Sequence, residues 1–461
     1  MPRALVISFD RLHAGYLGCY GNDWIETEHL DRLAAESVVF DGLFADDLSP
    51  AGLGRRWWWL APAAGANSPT AAATASGARE TPLPGLLRHL GIRTICCAEA
   101  DLSTSARATP LWDELAQIEA DDVDGAEEAE LPVHQLAAAV AEAIESGEFG
   151  PNSLLWVRSR GVPEPWYPAA EFATLYFPEF ELVDDSPVPE RRSADAEDAF
   201  VDDAEGEADA AENNETGDQT SAPRCADEPV TTAARMQAAM ADVAAHDEPA
   251  ETDATPDPEL EVRLARALYA AYVTSIDRAV GRILHALTRA RLLDETLVIV
   301  TAASGQLLGE HAQPGHLPDH LPYELTHLPC IVRLPEHVHG GTRRHDFLQP
   351  GDLAEAIAAW FSSEPRQPAG SQDPQRNESS NRLIDAINGS EPGRELVLSH
   401  HPELGWSVRC REAVYCRSPH RTEGQLFLQP YDRHEFADEA AHYGDLADRL
   451  AAAIPPDAPT A

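Results

Sequence analysis

Four histidines and one aspartate lie close together in a loop-rich stretch of the sequence. They are His311, His316, His320, His327 and Asp319. Imidazole and carboxylate groups can hold Zn²⁺ in sites of three or four ligands, so zinc binding is one interpretation of this stretch. The spacing matches no known zinc signature, and a chain with 18 histidines shows such a cluster by chance. The residues therefore favour an arrangement without zinc.

Several cationic side chains are candidates for binding an oxyanion such as sulfate. The main candidates are Arg55, Arg56 and His316, and Arg158 and Arg160 are further ones. In a strongly acidic protein, arginines also find carboxylate partners at the surface. Both interpretations stay open from the sequence.

Two strand-like segments position the residues that follow them. Ala4–Phe9 is an apolar run followed by Asp10, and Leu297–Val300 is a β-branched run closed by the small residues Ala302–Gly305. Such runs are typical of buried parallel strands. Ligand sites of open α/β sheets lie at the carboxyl ends of their strands. The sequence therefore predicts that any chemistry occurs near Asp10 and the loop after Val300.

Further elements follow from apolar periodicity and from turn residues. The predicted helices are Thr27–Ser37, Pro82–Leu90, Pro132–Glu145, Leu260–Ala290 and Asp352–Ser362. The predicted strands are Ile92–Cys97, Ser153–Val157, Leu396–Ser399, Glu412–Cys416 and Gln425–Gln429, with a final helix after them.

Long phrases of this sequence resemble the sulfatase family of the alkaline-phosphatase-like superfamily. They are LGCYG followed by HLDRLAAESVVFDGLFA, then Thr301, Gly305 and the LGEH phrase Leu308–His311, then YELTHLPCIVRLP, and finally PYDRHEFAD. The resemblance implies an α/β fold with a large, mixed, mostly parallel sheet sandwiched by helices. It also implies a small C-terminal subdomain built on an antiparallel sheet.

The resemblance also implies a metal site, which this sequence retains only in part. Sulfatases hold Ca²⁺ or Mg²⁺ with carboxylate and amide oxygens. The four family ligand positions correspond here to Asp10, Arg11, Ala303 and Ser304, so Asp10 is the only metal ligand left. We therefore expect no bound metal and no other cofactor.

The family nucleophile is missing as well. Sulfatases modify a Cys or Ser in a Cys-x-Pro-x-Arg phrase, and this chain has no such phrase. The corresponding positions are Ala51, or Pro50 by the other count, with Arg55 in place of the arginine. Ser49 is the nearby hydroxyl, and a lone loop serine before a proline is typically a turn residue. The family lysine corresponds to His316, which leaves Ala51, Arg55 and His316 as vestigial catalytic positions.

Composition excludes some classes of partner. The formal charge of −44 repels a phosphate backbone, so nucleic acid is not an expected partner. We read no signal peptide in the first residues and no apolar run of about 18 residues, and therefore expect a cytoplasmic protein without a membrane span. Many of the acidic residues lie in Asp184–Pro258. This segment is poor in large apolar residues and is predicted to be a disordered insertion.

The expected domains are a sulfatase-like core (1–183 and 259–363), the acidic insertion (184–258), a linker (364–394) and the C-terminal subdomain (395–450). The leading hypothesis is a catalytically inactive sulfatase-family protein, a pseudoenzyme that binds an oxyanion or sulfated ligand or assembles with partners. The alternative is an active sulfate- or phosphate-ester hydrolase with a rearranged site that uses Asp10, Ser49 and the loop histidines. A third hypothesis, compatible with the first, is an interaction protein that works through the acidic insertion.

Overall fold

The structure is a computed structural model that describes ten stretches of the chain. They are residues 2–49, 59–60, 81–99, 111–119, 128–162, 168–176, 258–311, 318–362, 382–389 and 393–455. The predicted acidic insertion lies outside the described residues except for Pro258, so that prediction stays a prediction. The predicted linker is described in part, and it contains a helix, Arg382–Ile387.

The described strands belong to a large sheet, a small sheet and a two-residue pair. In chain order they are β1 (Arg3–Phe9), β2 (Val38–Phe40), β3 (Trp59–Leu60), β4 (Thr81–Pro82), β5 (Arg93–Glu99), β6 (Glu114–Ile118), β7 (Ser153–Ser159), β8 (Thr296–Ala302), β9 (Cys330–Arg333), β10 (Thr342–Arg344), β11 (Val397–His401), β12 (Gly405–Arg409), β13 (Ala413–Arg417) and β14 (Gln425–Leu428).

The large sheet has the order β10-β2-β9-β8-β1-β7-β5-β6. Its neighbours are parallel except for β9, which runs antiparallel to both β8 and β2. Every residue of β8 is buried, as expected for a strand covered on both faces. β1 lies between β8 and β7, so the carboxyl ends of these three strands meet at one edge of the sheet.

Helices cover the large sheet in two groups. In chain order the described helices are α1 (Glu28–Ala35), α2 (Leu83–His89), α3 (Pro132–Glu145), α4 (Ala170–Tyr176), α5 (Pro258–Arg289), α6 (Tyr323–Thr326), α7 (Pro350–Phe361), α8 (Arg382–Ile387) and α9 (Gly444–Ala451). Helices α1, α3 and α4 pack against α5, and α2 and α8 pack against α7. The predicted apolar face of α5, which includes Leu264, Ile276 and Leu287, is buried.

The C-terminal part forms a separate antiparallel sheet with the order β11-β12-β13-β14. It has its own apolar cluster, in which Val408 and Leu426 pack with Leu450 of α9. The predicted fold class is thus confirmed. The apolar pattern of the sequence did not predict β12. This strand has only five residues between two short turns, and so few residues carry little periodic signal. Within the described residues, no helix is both long enough and apolar enough to cross a bilayer.

Candidate functional site

The carboxyl ends of β8, β1 and β7 bring predicted site residues together. Strand register places Phe9 beside Ala302 on one side and beside Ser159 on the other. The pairing continues one residue further, because the Ala303 amide donates to the Phe9 carbonyl (2.8 Å) and the Asp10 amide donates to the Ser159 carbonyl (3.0 Å). Asp10 and Ala303 therefore lie side by side, with Ser304 next in the loop.

The carboxylate of Asp10 faces a guanidinium group. Arg158 comes from β7, where it is paired with Ser8, and its Nη2 lies 3.6 Å from Asp10 Oδ2. The Arg158 side chain is 8% exposed and that of Asp10 is 24% exposed, so water screens this pair only weakly. Burial raises the pKa of Asp10, and the charges of Arg158 and Arg11 oppose that rise without cancelling it.

The backbone at this edge is held in an unusual conformation. Arg11 is exposed and has a φ of 60°, which non-glycine residues rarely adopt. The Tyr269 hydroxyl of α5 donates to the Arg11 carbonyl (2.7 Å) and accepts from the His13 amide (2.8 Å). Gly161 approaches from the loop after β7, and a Cβ there would lie 1.8 Å from the Asp10 carbonyl oxygen. The shape of the loop thus depends on a tyrosine and a glycine.

Arg160, the other candidate from β7's end, belongs to a second buried ion pair. Its Nε donates to Glu99 Oε2 (3.2 Å), and the Ser159 hydroxyl donates to Glu99 Oε1 (2.6 Å). Burial raises the pKa of Glu99, although these hydrogen bonds oppose the rise. Both Arg158 and Arg160 thus have carboxylate partners inside the protein. The sequence missed Glu99, since no local pattern links it to a residue 61 positions away.

The three described histidines of the loop-rich stretch each engage a protein group. His311 Nε2 lies 2.9 Å from Glu324 Oε2, His320 Nδ1 lies 3.0 Å from Asp319 Oδ1, and His327 Nε2 donates to the Asp41 carbonyl (3.0 Å). In the part of the chain that the structure describes, no three His, Cys, Asp or Glu side chains are placed to hold one metal ion. The zinc interpretation gains no support from these residues.

Glu324 is the second acidic group that the sequence missed. Its side chain is 2% exposed, and its two oxygens accept hydrogen bonds from His311 and from His434 of the C-terminal part, each at 2.9 Å. Burial alone would raise the pKa of Glu324, but the two histidines outweigh it and lower the pKa to about 2. A carboxylate therefore joins the loop after β8 to the C-terminal sheet region.

Several predicted positions lie outside the described residues. These are Ala51, Arg55, Arg56 and His316, so their placement relative to Asp10 stays a prediction. Ser49 is described, and its amide donates to Asp47 Oδ1 (3.0 Å) in a local turn. The preceding residue, Leu48, donates to the His400 carbonyl (2.8 Å), so this turn lies against β11. Ser49 has the contacts of a turn residue.

Comparison with known proteins gives a family match to part of the chain, and it gives the fold. The sulfatase family model matches residues 194–363. The multifunctional alkaline phosphatase superfamily protein PehA of Trinickia caryophylli is 30% identical over 109 residues, which are 23% of this chain and 20% of that protein. The chain thus matches only about a fifth of this relative's length.

Two solved structures are similar over nearly their whole length. The phosphonate monoester hydrolase of Agrobacterium radiobacter aligns with a TM-score of 0.64 and 16% identity, covering 98% of this chain and 94% of that one. A protein solved with its substrate D-glucosamine-2-N,6-O-disulfate aligns with a TM-score of 0.64 and 14% identity, covering 98% and 96%. These likenesses define the fold. The sulfatase family model thus matches one segment of this chain, and the chain shares the fold of these solved structures.

Proposed function

We propose that this protein keeps the sulfatase fold without hydrolysing sulfate esters, and that it serves as a binding or assembly module. The observation that carries this proposal is the ion pair between Asp10 and the buried Arg158. In this arrangement a protein cation neutralises the one remaining acidic side chain of the family metal positions.

The residues at this edge do not fit the family metal. Ca²⁺ takes about six to eight oxygen ligands, and Mg²⁺ requires about six. Here Ala303 has no side-chain oxygen, Arg11 is cationic, and Asp10 faces Arg158. A dication about 4 Å from a guanidinium is repelled by about 8 kcal/mol at an effective dielectric constant of about 20. One carboxylate cannot offset that repulsion, so we derive no catalytic step through a metal.

The proposed ligand is an oxyanion, such as sulfate or a sulfated molecule. Three arginines, Arg11, Arg158 and Arg160, stand at this edge against two carboxylates, Asp10 and Glu99. The edge therefore gathers three guanidinium groups within a chain whose formal charge is −44. Guanidinium groups bind planar and tetrahedral oxyanions through paired N–H donors. Arg55, Arg56 and His316 are the proposed additional anion-binding residues.

A turnover assay tests the loss of catalysis. The full chain would be given an aryl sulfate and a bis-aryl phosphate, each with Ca²⁺, Mg²⁺, Mn²⁺ or Zn²⁺. We expect the same product release from the wild type and from Asp10→Ala, at the level of a buffer control. Turnover by the wild type that Asp10→Ala abolishes would establish the rearranged hydrolase instead and overturn the proposal.

A further inference from the structure

A chain of alternating charges joins the C-terminal sheet region to the loop before α6. In order, its members are Arg409 of β12, Glu435, His320, Asp319 and Arg421. Arg409 Nη2 lies 2.5 Å from Glu435 Oε1, and Arg421 Nη1 lies 2.5 Å from Asp319 Oδ2. His320 lies in the middle, with Nδ1 3.0 Å from Asp319 Oδ1 and Nε2 3.6 Å from Glu435 Oε2.

The carboxylates on the two sides of the His320 ring favour its charged form. A neutral imidazole has one N–H and one lone pair, so it can donate to only one of two carboxylates. Here both ring nitrogens face carboxylate oxygens, and a lone pair directed at either oxygen would be repelled. His320 is 5% exposed and Glu435 is 0% exposed, so water cannot relieve that repulsion. The 3.6 Å contact between Nε2 and Glu435 Oε2 is longer than a hydrogen bond, so Glu435 favours the imidazolium form through its charge.

Neighbouring histidines differ from His320 in this respect. His311 and His434 each direct one ring nitrogen at Glu324, and a neutral imidazole can donate that hydrogen bond. This hydrogen bond needs only one N–H of each ring. The other cations of the chain, Arg409 and Arg421, are guanidinium groups. Among the described residues, the groups that face His320 directly or through one partner are Asp319, Glu435, Arg409, Arg421, the Cys416 thiol and the rings of His311 and Phe427.

We propose that His320, Asp319 and Glu435 form a proton-dependent latch that holds residues 429–438 against the loop before α6 and releases them when His320 loses its proton. Glu435 also accepts a hydrogen bond from the Tyr323 amide (3.1 Å), and its neighbour His434 binds Glu324. Release of these residues therefore loosens the support of His311, which follows the loop after β8. The latch couples proton concentration to the loop that borders the candidate site.

The direction of the effect follows from the charges. Burial disfavours the imidazolium, but Glu435 and Asp319 together raise the pKa of His320 above its ordinary value. The His320 hydrogen bond in turn lowers the pKa of Asp319. A histidine whose pKa is raised by folding stabilises the closed state fully below its unfolded pKa, and this contribution is lost as pH rises through the folded pKa. The latch is therefore closed below the ordinary pKa of histidine and opens as pH rises through the raised pKa of His320.

Hydrogen exchange on the full chain tests the latch. Deuterium uptake of residues 429–438 would be measured at about pH 6 and about pH 9, with peptides of β1 as the internal reference for intrinsic exchange. We expect protection of residues 429–438 to fall about tenfold relative to β1 at the higher pH. His320→Gln should exchange at both pH values as the open wild type does. The matched control is His442→Gln, which replaces a 77% exposed histidine of the same region and should behave as the wild type.

Two results would overturn the latch: no pH step in the wild type, or a step that persists in His320→Gln. If His320→Gln does not fold, Asp319→Asn replaces it, because the Asp319 side chain is 54% exposed. Removing this carboxylate should move the midpoint of the step to lower pH, and an unmoved midpoint contradicts the proposal. These outcomes do not depend on catalysis or on oxyanion binding.

Discussion

The sheet edge and the contact with the C-terminal sheet both bury acidic side chains, but they neutralise them differently. At the edge, Asp10 and Glu99 face arginines. At the contact, Glu324 is held by His311 and His434, and Glu435 by Arg409 together with His320. Arginine keeps its charge at any physiological pH, whereas the charge of a histidine depends on its neighbours and on pH. The cations at the edge therefore keep their charge, whereas the contact contains a cation, His320, that can lose its proton.

The largest expected effect comes from removing the fixed cation at the edge. Arg158→Met leaves the Asp10 carboxylate buried without its guanidinium partner, and we expect a loss of about 3 kcal/mol in the free energy of unfolding. The double variant Asp10→Asn, Arg158→Met should recover most of that loss, because it removes both charges. Urea denaturation at neutral pH measures both values.

Arg343→Met is the matched control for this experiment. Arg343 pairs with Asp41 at the surface, where its side chain is 44% exposed, and exposed pairs contribute at most about 1 kcal/mol. Equal losses for Arg158→Met and Arg343→Met would show that the edge pair has no special role.

A smaller effect is expected at the contact with the C-terminal sheet, where Glu324 should make the free energy of unfolding depend on pH in acid. The pKa of Glu324 is lowered from 4.5 to about 2 in the folded protein. A lowered pKa gives stability that is present above the unfolded value and is lost as pH falls through the folded value. Between these values the wild type should lose up to about 3 kcal/mol through this group. Glu324→Gln should remove that part of the acid dependence, as measured by urea midpoints across the window, and an unchanged slope would contradict the assignment.

The smallest expected effect is that of divalent ions on thermal stability. A ligand that binds only the folded state raises the melting temperature. Because Arg158 neutralises Asp10, we expect millimolar Ca²⁺ or Mg²⁺ to leave the melting temperature of the wild type unchanged, as seen by scanning calorimetry. A clear upward shift that disappears in Asp10→Ala would mean that the edge still binds metal.

The sequence predicted elements whose signals are local. Helix Pro132–Glu145 has the predicted bounds, because Pro132 suits the first turn of a helix and Gly147, with a φ of 85°, follows its end. The long helix was expected over Leu260–Ala290 and extends over Pro258–Arg289, because its apolar stripe spans many turns.

Side-chain contacts between residues that are distant in the sequence could not be predicted in this way. Pairing of Arg158 with Asp10 depends on the register of β1 with β7, and Glu324 meets His434 from 110 residues away. No periodicity of either segment encodes these contacts. The sequence therefore placed Asp10 at the edge, but it did not predict which side chains face Asp10 there.

Gly305 shows how the main chain of the loop after β8 keeps its course. A Cβ on Gly305 would lie 1.8 Å from the backbone oxygen of Glu324, and the Gly305 amide donates to the Leu325 carbonyl (3.0 Å). The course of this loop is thus set by main-chain fit, independently of the neighbouring side chains at Ala303 and Ser304. Substitutions at those two positions are therefore compatible with the same course of the loop, because neither side chain sets the path of the polypeptide.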